Sequence, residues 1–445
     1  MNSGPLNWLG AVDAAQALRD GAISAEMLAK ACIERVQAVD AEVEAWAYFD
    51  PEHVLLQARA RDRDRSEGRP LGALHGLPVG IKDIIDTVDM PTEDGTVLHA
   101  GRTPDADAAV VRMLRAAGAV IFGKTVTTEL ATYAPGKTRN PYNPAHTPGG
   151  SSSGSAAAVA SGMVPLAVGT QTNGSVIRPA AYCGVFGFKP TYGLIPRTGV
   201  LRQSRALDTV GVMARSVEDI ALTMENVVGY DADDPATRLL ARPPFVQVAT
   251  QAPPMPPSIA FVRTPMWERA DAETVEAFAE LTEHLGARVE ERTLPQSVRN
   301  SWDWQRTIME TEIASSFVLE YERGADQLSA SLREQIERGR QIRAVDYLDA
   351  LAQIPRLNEG FDEVFERFDA MLTPAAAGTA PKGLERTGDP VFCTLWTLCG
   401  MPAITLPLLT GANGLPIGVQ LVGKRGDDAR LLRTANWLVR TLSTS

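Results

Sequence analysis

The chain has 445 residues, 44% hydrophobic and 22% charged, which allows a large buried core in an ordinary globular protein. Its 43 basic and 54 acidic residues leave a net charge of −11, which argues against a nucleic-acid binder held by a basic surface. The start lacks a basic stretch followed by an apolar one, and no apolar run approaches ~18 residues, so neither a secretory signal nor a membrane span is expected and the expected location is the cytoplasm.

Residues 11–60 alternate apolar and charged positions at helical spacing, predicting two or three helices separated near Gly21–Ser24. Leu74–Thr87 (LHGLPVGIKDIIDT) changes to Gly, Pro and β-branched residues, a loop leading into a strand that carries Lys82. Ala106–Ala117 reads as helix and Ala119–Phe122 as a short buried strand. The proline- and asparagine-rich stretch from Thr138 to Gly150 reads as loop. Ser155–Ser161 is expected as helix, with strands at Val164–Val168 and Val185–Phe188. Proline is dense between Ala241 and Pro257, which predicts a surface linker. Beyond it SIAFVRTP, DAETVEAFAELTEHLGA and RVEERTLP read as strand, helix, strand. The segment 300–354 is helical and is expected to cap a pocket. Ala370–Pro374 and GLPIGVQLVG read as core strands, and Leu431–Leu442 as a closing helix. Strands alternating with helices imply an α/β class, with a mixed, largely parallel central sheet flanked by α-helices in a single domain spanning residues 1–445.

Two motifs mislead. Gly118–Thr125 (GAVIFGKT) matches the phosphate-loop spacing, but its middle residues are Ala119, Val120, Ile121 and Phe122, which belong in a buried strand. Gly150–Gly154 (GSSSG) matches a nucleophile elbow, yet no apolar strand precedes it and only His284 lies downstream. The five histidines form no spaced ligand pair, so a zinc hydrolase is not expected. The four cysteines have no CxxC spacing and are expected as buried thiols.

The informative stretch is Gly149–Gly193. Two serine-and-glycine turns, around Ser151 and Ser175, bracket a small-residue helix and an apolar run. Glycines let backbone N–H groups approach a ligand, serines offer hydroxyls for attack or relay, and a buried lysine can lose its charge and act as a base. Together with Lys82 these are the parts of an amide hydrolase that works without histidine.

The pieces GLPVGIKD, GAVIFGKT, TRNP, PGGSSSGSAAAVA, GTQTNGSVIRPAAYCGVFGFKPTYG, FDAMLTP, GMPAITLP and GLPIGVQLVG resemble the amidase signature family over most of the chain. That resemblance implies a Ser–cis-Ser–Lys triad, with Ser175 as nucleophile, Ser151 as the bridging serine after a cis peptide, and Lys82 as base. It implies no metal or organic cofactor. The turn Thr172-Asn173-Gly174-Ser175 offers consecutive N–H groups as an oxyanion hole. Ser152, Ser153 and Ser155 are expected to cap the following helix and bond the loop.

Three positions depart from the family pattern. Gln171 stands where the family has an acid, Asn173 where it has glycine, and arginine falls one place late, at Arg178. The GSVIRPAAYCGV pattern is similar to the malonamidase-like branch, which implies that Arg178 grips a substrate carboxylate; pairing with a buried acid is the equal alternative. The expected substrate is a small or aryl amide, with esters, anilides and carbamates (urethanes) open to the same chemistry. Trp302, Trp304 and Trp396 are either pocket aromatics or core. The expected state is a monomer or homodimer without nucleic-acid or membrane partners. The alternative is the amidase subunit of a glutamyl-tRNA(Gln) amidotransferase.

Overall fold

Apolar runs broken by Gly and Pro become short strands, and the longer amphipathic runs become the helices that cover them. The computed structural model describes residues 4–294 and 296–443. Eleven strands form one sheet: β1 (Trp46–Tyr48), β2 (Pro78–Lys82), β3 (Val120–Thr125), β4 (Leu166–Gln171), β5 (Phe186–Lys189), β6 (Thr209–Ala214), β7 (Ile259–Arg263), β8 (Val289–Thr293), β9 (Ala370–Pro374), β10 (Ala403–Thr410) and β11 (Pro416–Val422). Their order is β1-β3-β2-β4-β6-β5-β10-β11-β9-β7-β8. β2, β3 and β4 are buried at every residue rather than at alternate ones, because packing covers both faces.

The fold is α/β with a mixed sheet, as expected, but the parallel share is smaller than the sequence suggested. Pairing is parallel at β2·β3, β2·β4, β7·β8 and β7·β9. It is antiparallel at β1·β3, β4·β6, β5·β6, β5·β10, β10·β11 and β9·β11. The middle of the sheet is therefore an antiparallel block between two parallel wings. Parallel pairs need a crossover, and the helices of the chain supply them only in the wings.

The stretch 241–257 is also more than a linker. It folds a helix, Phe245–Thr250, whose Phe245 and Ala249 are buried one turn apart against the main core. Asn436 of the closing helix Asp428–Ser443 donates to the Ala249 carbonyl at 2.9 Å. The apolar pair outweighs the proline signal on either side of it.

The helix Ser153–Ala160 is built from Ser, Gly, Ala and Val and is buried almost throughout. Small size is required here. A Cβ on Gly154 would lie 2.2 Å from the Ala45 carbonyl oxygen and 2.3 Å from the Val126 nitrogen. The helices Ser301–Ser316, Ala330–Gln341 and Ala344–Phe365 build a second core around Ile308, Phe317, Ile336, Phe361 and Trp396. Trp396 stacks edge-on with Phe361 at 5.5 Å, and Trp302 donates its indole N–H to the Val391 carbonyl at 2.9 Å. Of the two readings left open for Trp302, Trp304 and Trp396, core is met: all three belong to or pack on this core. No described helix is long and apolar enough to cross a membrane.

Candidate active site

Lys82 is the last residue of β2 and is completely buried. The parallel register that pairs Ile81 with Val168 brings it beside the end of β4. Its Nζ donates to Ser151 Oγ at 2.7 Å and to Thr170 Oγ1 at 2.8 Å. Burial lowers its pKa from 10.5 to about 7, against an opposing pull from the Asp208 carboxylate. A large neutral fraction is thus available near pH 7, and a neutral amine can accept a proton from Ser151.

Ser151 follows a cis peptide with Gly150. Its neighbours anchor the turn. Ser152 Oγ donates to the Thr170 carbonyl and accepts from the Thr170 N–H, both at 3.2 Å. Ser153 Oγ donates to the Val126 carbonyl, and Ser155 Oγ to the Val168 carbonyl, the latter also meeting Thr125 Oγ1 at 2.7 Å. None caps the helix that follows, since no side-chain cap bond forms at Ser152. These hydroxyls instead tie the helix start to β3 and β4.

The Ser152 N–H donates to the Ser175 carbonyl at 3.3 Å, so the two serine turns lie against each other. Ser175 lines a cavity with Thr172, Asn173, Gly174, Arg178 and Tyr133. Met309, Ile313 and Gln335 of the 300–354 helices also line it. The cavity measures about 10 Å³, room for about one water molecule. Among the described residues, the N–H groups of Asn173, Gly174 and Ser175 have no backbone acceptor.

The turn is held from below and from the far end of the chain. Gln171 Oε1 accepts from the N–H of Val176 at 2.8 Å and of Ile177 at 3.0 Å, and its Nε2 donates to Thr397 Oγ1 at 2.9 Å. Thr397 Oγ1 donates to the Asn173 carbonyl at 2.6 Å. The Asn173 side chain accepts from Thr394 Oγ1 at 2.7 Å and donates to Tyr133 at 3.1 Å. Gln171 therefore holds two adjacent backbone N–H groups without a charge.

Arg178 is buried. Its Nη2 donates to the Gly150 carbonyl at 2.7 Å and to Thr387 Oγ1 at 3.1 Å, while Nε and Nη1 are buried without a partner. Among the described residues no carboxylate pairs with it.

Sequence reasoning missed Thr170, Asp208, Tyr133, Thr394 and Thr397. Thr170 lies within the GTQTNGS motif and would follow from the pairing of β2 with β4. The others are distant in the chain and carried no local signal. The reading of Gly118–Thr125 as strand is met by β3. Its Lys124 is buried, pairs with Asp83 at 3.2 Å and donates to the Pro91 carbonyl at 3.2 Å.

The Amidase family model matches residues 27–432. The chain belongs to the Amidase family. Curated relatives include a glutamyl-tRNA(Gln) amidotransferase component from Symbiobacterium thermophilum, 35% identical over 93% of both chains. The component of the same name from Chloroflexus aggregans is 34% identical over 97% of this chain and 96% of its own. Among solved structures, the peptide amidase of Stenotrophomonas maltophilia superposes with a TM-score of 0.86, at 29% identity over 99% of this chain and 98% of the other. A 6-aminohexanoate cyclic dimer hydrolase complexed with substrate also superposes at 0.86, with 27% identity over 98% and 97% of the two chains. Membership makes the chain a C–N hydrolase or amidotransferase of this family.

Proposed function

We propose that the chain hydrolyses small amides bearing a carboxylate, through an acyl-enzyme on Ser175. Neutral Lys82 takes the Ser151 proton while Ser151 takes that of Ser175. The Ser175 oxygen attacks the amide carbon, and the N–H groups of Asn173, Gly174 and Ser175 receive the developing oxyanion. The relay then reverses, the amine leaves protonated, and water releases the acyl group by the same route. The observation that carries the substrate class is Arg178, with two unpartnered guanidinium nitrogens buried beside Ser175. A substrate carboxylate would accept a charge-assisted hydrogen bond from Nη1, at the end of the guanidinium away from Nε–H. Met309, Ile313 and Gln335 line the same cavity and would contact the acyl group. Esters, anilides and carbamates of similar size share the acyl-transfer step.

A second reading is the amidase component of a glutamyl-tRNA(Gln) amidotransferase. The curated relatives weigh toward it more than the motif departures at Gln171 and Arg178 weigh against it. Glutamine is itself a small amide with a carboxylate, so the proposed clamp serves both readings.

The test is hydrolysis by the purified chain and its Ser175→Ala and Arg178→Met variants, on malonamate, glutamine, a neutral aliphatic amide, a nitroanilide and an aryl carbamate. The proposal expects unaided turnover of a carboxylate-bearing amide, lost in Ser175→Ala, with KM raised at least about tenfold in Arg178→Met. Glutamine turnover that needs added partner proteins supports the second reading. A preference for a neutral aryl carbamate, unchanged in Arg178→Met, removes the clamp.

A further inference from the structure

Asp208 is a buried carboxylate with no lysine or arginine paired to its oxygens among the described residues. Burying such a group is unfavourable unless its lone pairs are filled. Here they are. Oδ1 accepts from Thr172 Oγ1 at 2.6 Å, and Oδ2 accepts from the N–H groups of Gln203 at 2.9 Å and Ser204 at 2.8 Å. Thr172 opens the turn that presents Asn173, Gly174 and Ser175. One carboxylate thus grips the start of the turn from the loop before β6.

The same charge acts on Lys82: Asp208 lines one small cavity together with Thr170, whose hydroxyl accepts from Lys82 Nζ at 2.8 Å. Asp208 is the ionised group that favours the lysine's ammonium form against its burial. The other charged groups facing Asp208 are few. The Arg197 guanidinium donates to its backbone carbonyl at 3.1 Å and is itself paired with Asp234 at 2.8 Å. Glu312, from the helix Ser301–Ser316, accepts from the Ser204 hydroxyl and from the Ala206 N–H on the far side of the loop.

We infer that Asp208 is a positioning residue with two separable effects: it locks the oxyanion turn through Thr172 and keeps the general base Lys82 from losing its proton too early. The inference rests on the triad reading above. Burial pushes Asp208 itself up to about 6, so it carries its charge through the range in which Lys82 titrates.

The experiment needs no knowledge of the natural substrate. A fluorescent alkyl fluorophosphonate labels an activated serine: the Ser175 oxygen–phosphorus bond forms, fluoride leaves, and the serine proton passes through Ser151 to Lys82. The labelling rate of the purified full chain is measured from pH 5 to 9. Wild type is expected to reach half its plateau near pH 7. Asp208→Asn keeps the side chain's shape and removes its charge. Its midpoint is expected to move acidward by about one pH unit, with a plateau lowered about tenfold. Thr172→Val keeps the charge and breaks the grip, so its plateau should fall about tenfold at an unmoved midpoint.

A lowered plateau with an unmoved midpoint in Asp208→Asn overturns the electrostatic half. Wild-type rates in Thr172→Val overturn the turn-locking half, even where Asp208→Asn does not fold. Labelling that persists in Ser175→Ala would instead overturn the triad reading itself, so the two failures are distinct.

Discussion

Replacing Gln171 with leucine leaves the N–H groups of Val176 and Ile177 buried with no acceptor, since Oε1 is the shared partner of both. Each such orphan costs about 1–3 kcal/mol, so about 2–6 kcal/mol in all. Melting entropy of ~2.1 cal/mol/K per residue gives roughly 0.9 kcal/mol/K for a chain of this length, and hence a melting point lower by about 2–6 °C. The functional loss should be larger. The two N–H groups lie directly after Ser175, so a relaxed turn moves both the proposed nucleophile and the proposed oxyanion donors. Losing one well-placed donor lowers turnover about 10²–10³-fold, and the leucine variant should fall by at least that much. Gln171→Glu keeps the acceptor for both N–H groups, but it loses the donation to Thr397 and buries a carboxylate whose second oxygen meets a hydroxyl already donating to Asn173, so it should lose about 1–3 kcal/mol. Melting followed by circular dichroism, together with the labelling rate of Ser175, checks both variants. A leucine variant that melts within about 1 °C of wild type and labels at the wild-type rate would refute the anchoring role of Gln171.

With Lys82 titrating at about 7, acylation should fall about tenfold per pH unit below that value and flatten above it; a rate independent of pH between 5 and 8 rules Lys82 out as the base. His99 pairs with Asp94 at 2.8 Å and with Glu320 at 3.2 Å, which raise its pKa from 6.5 to about 9. Its contribution to stability is therefore full below pH 6.5 and lost as pH rises through about 9. His99→Gln should lower the urea midpoint at pH 6 and match wild type at pH 10, and an equal deficit at both refutes the ion-pair origin. Gly154→Ala should prevent soluble folding, because its methyl would collide with backbone atoms of Ala45 and Val126 that cannot rotate away. Normal expression and melting of that variant would show that the helix start can shift.

Lys82 and the two serine turns were legible because each sits in a short motif whose composition is unusual: lysine among apolar residues, serines among glycines. β3 was legible because four consecutive large or apolar residues between glycines leave no room for a phosphate loop. Thr170 was not, although it lies in a motif, because its role depends on which strand β2 pairs with, a long-range property. Asp208 looked like any loop aspartate until burial and Thr172 gave it a function. The antiparallel middle of the sheet was invisible for the same reason as Thr170, since strand order is not written in any single strand. Phe245 was hidden by its proline neighbours, where composition over a window obscured one buried pair.

The turn that carries Ser175 is fastened at Thr394 and Thr397, more than two hundred residues later in the chain. Every residue assigned to the relay is complete before half the protein has been made, yet the fasteners arrive only near its end. A nascent chain, or a fragment cut after the first half, would hold the reactive groups without the clasp that orients them. On the proposed triad, reactivity would be tied to completion: a growing or broken copy is expected to stay inert, and only the finished molecule to be armed.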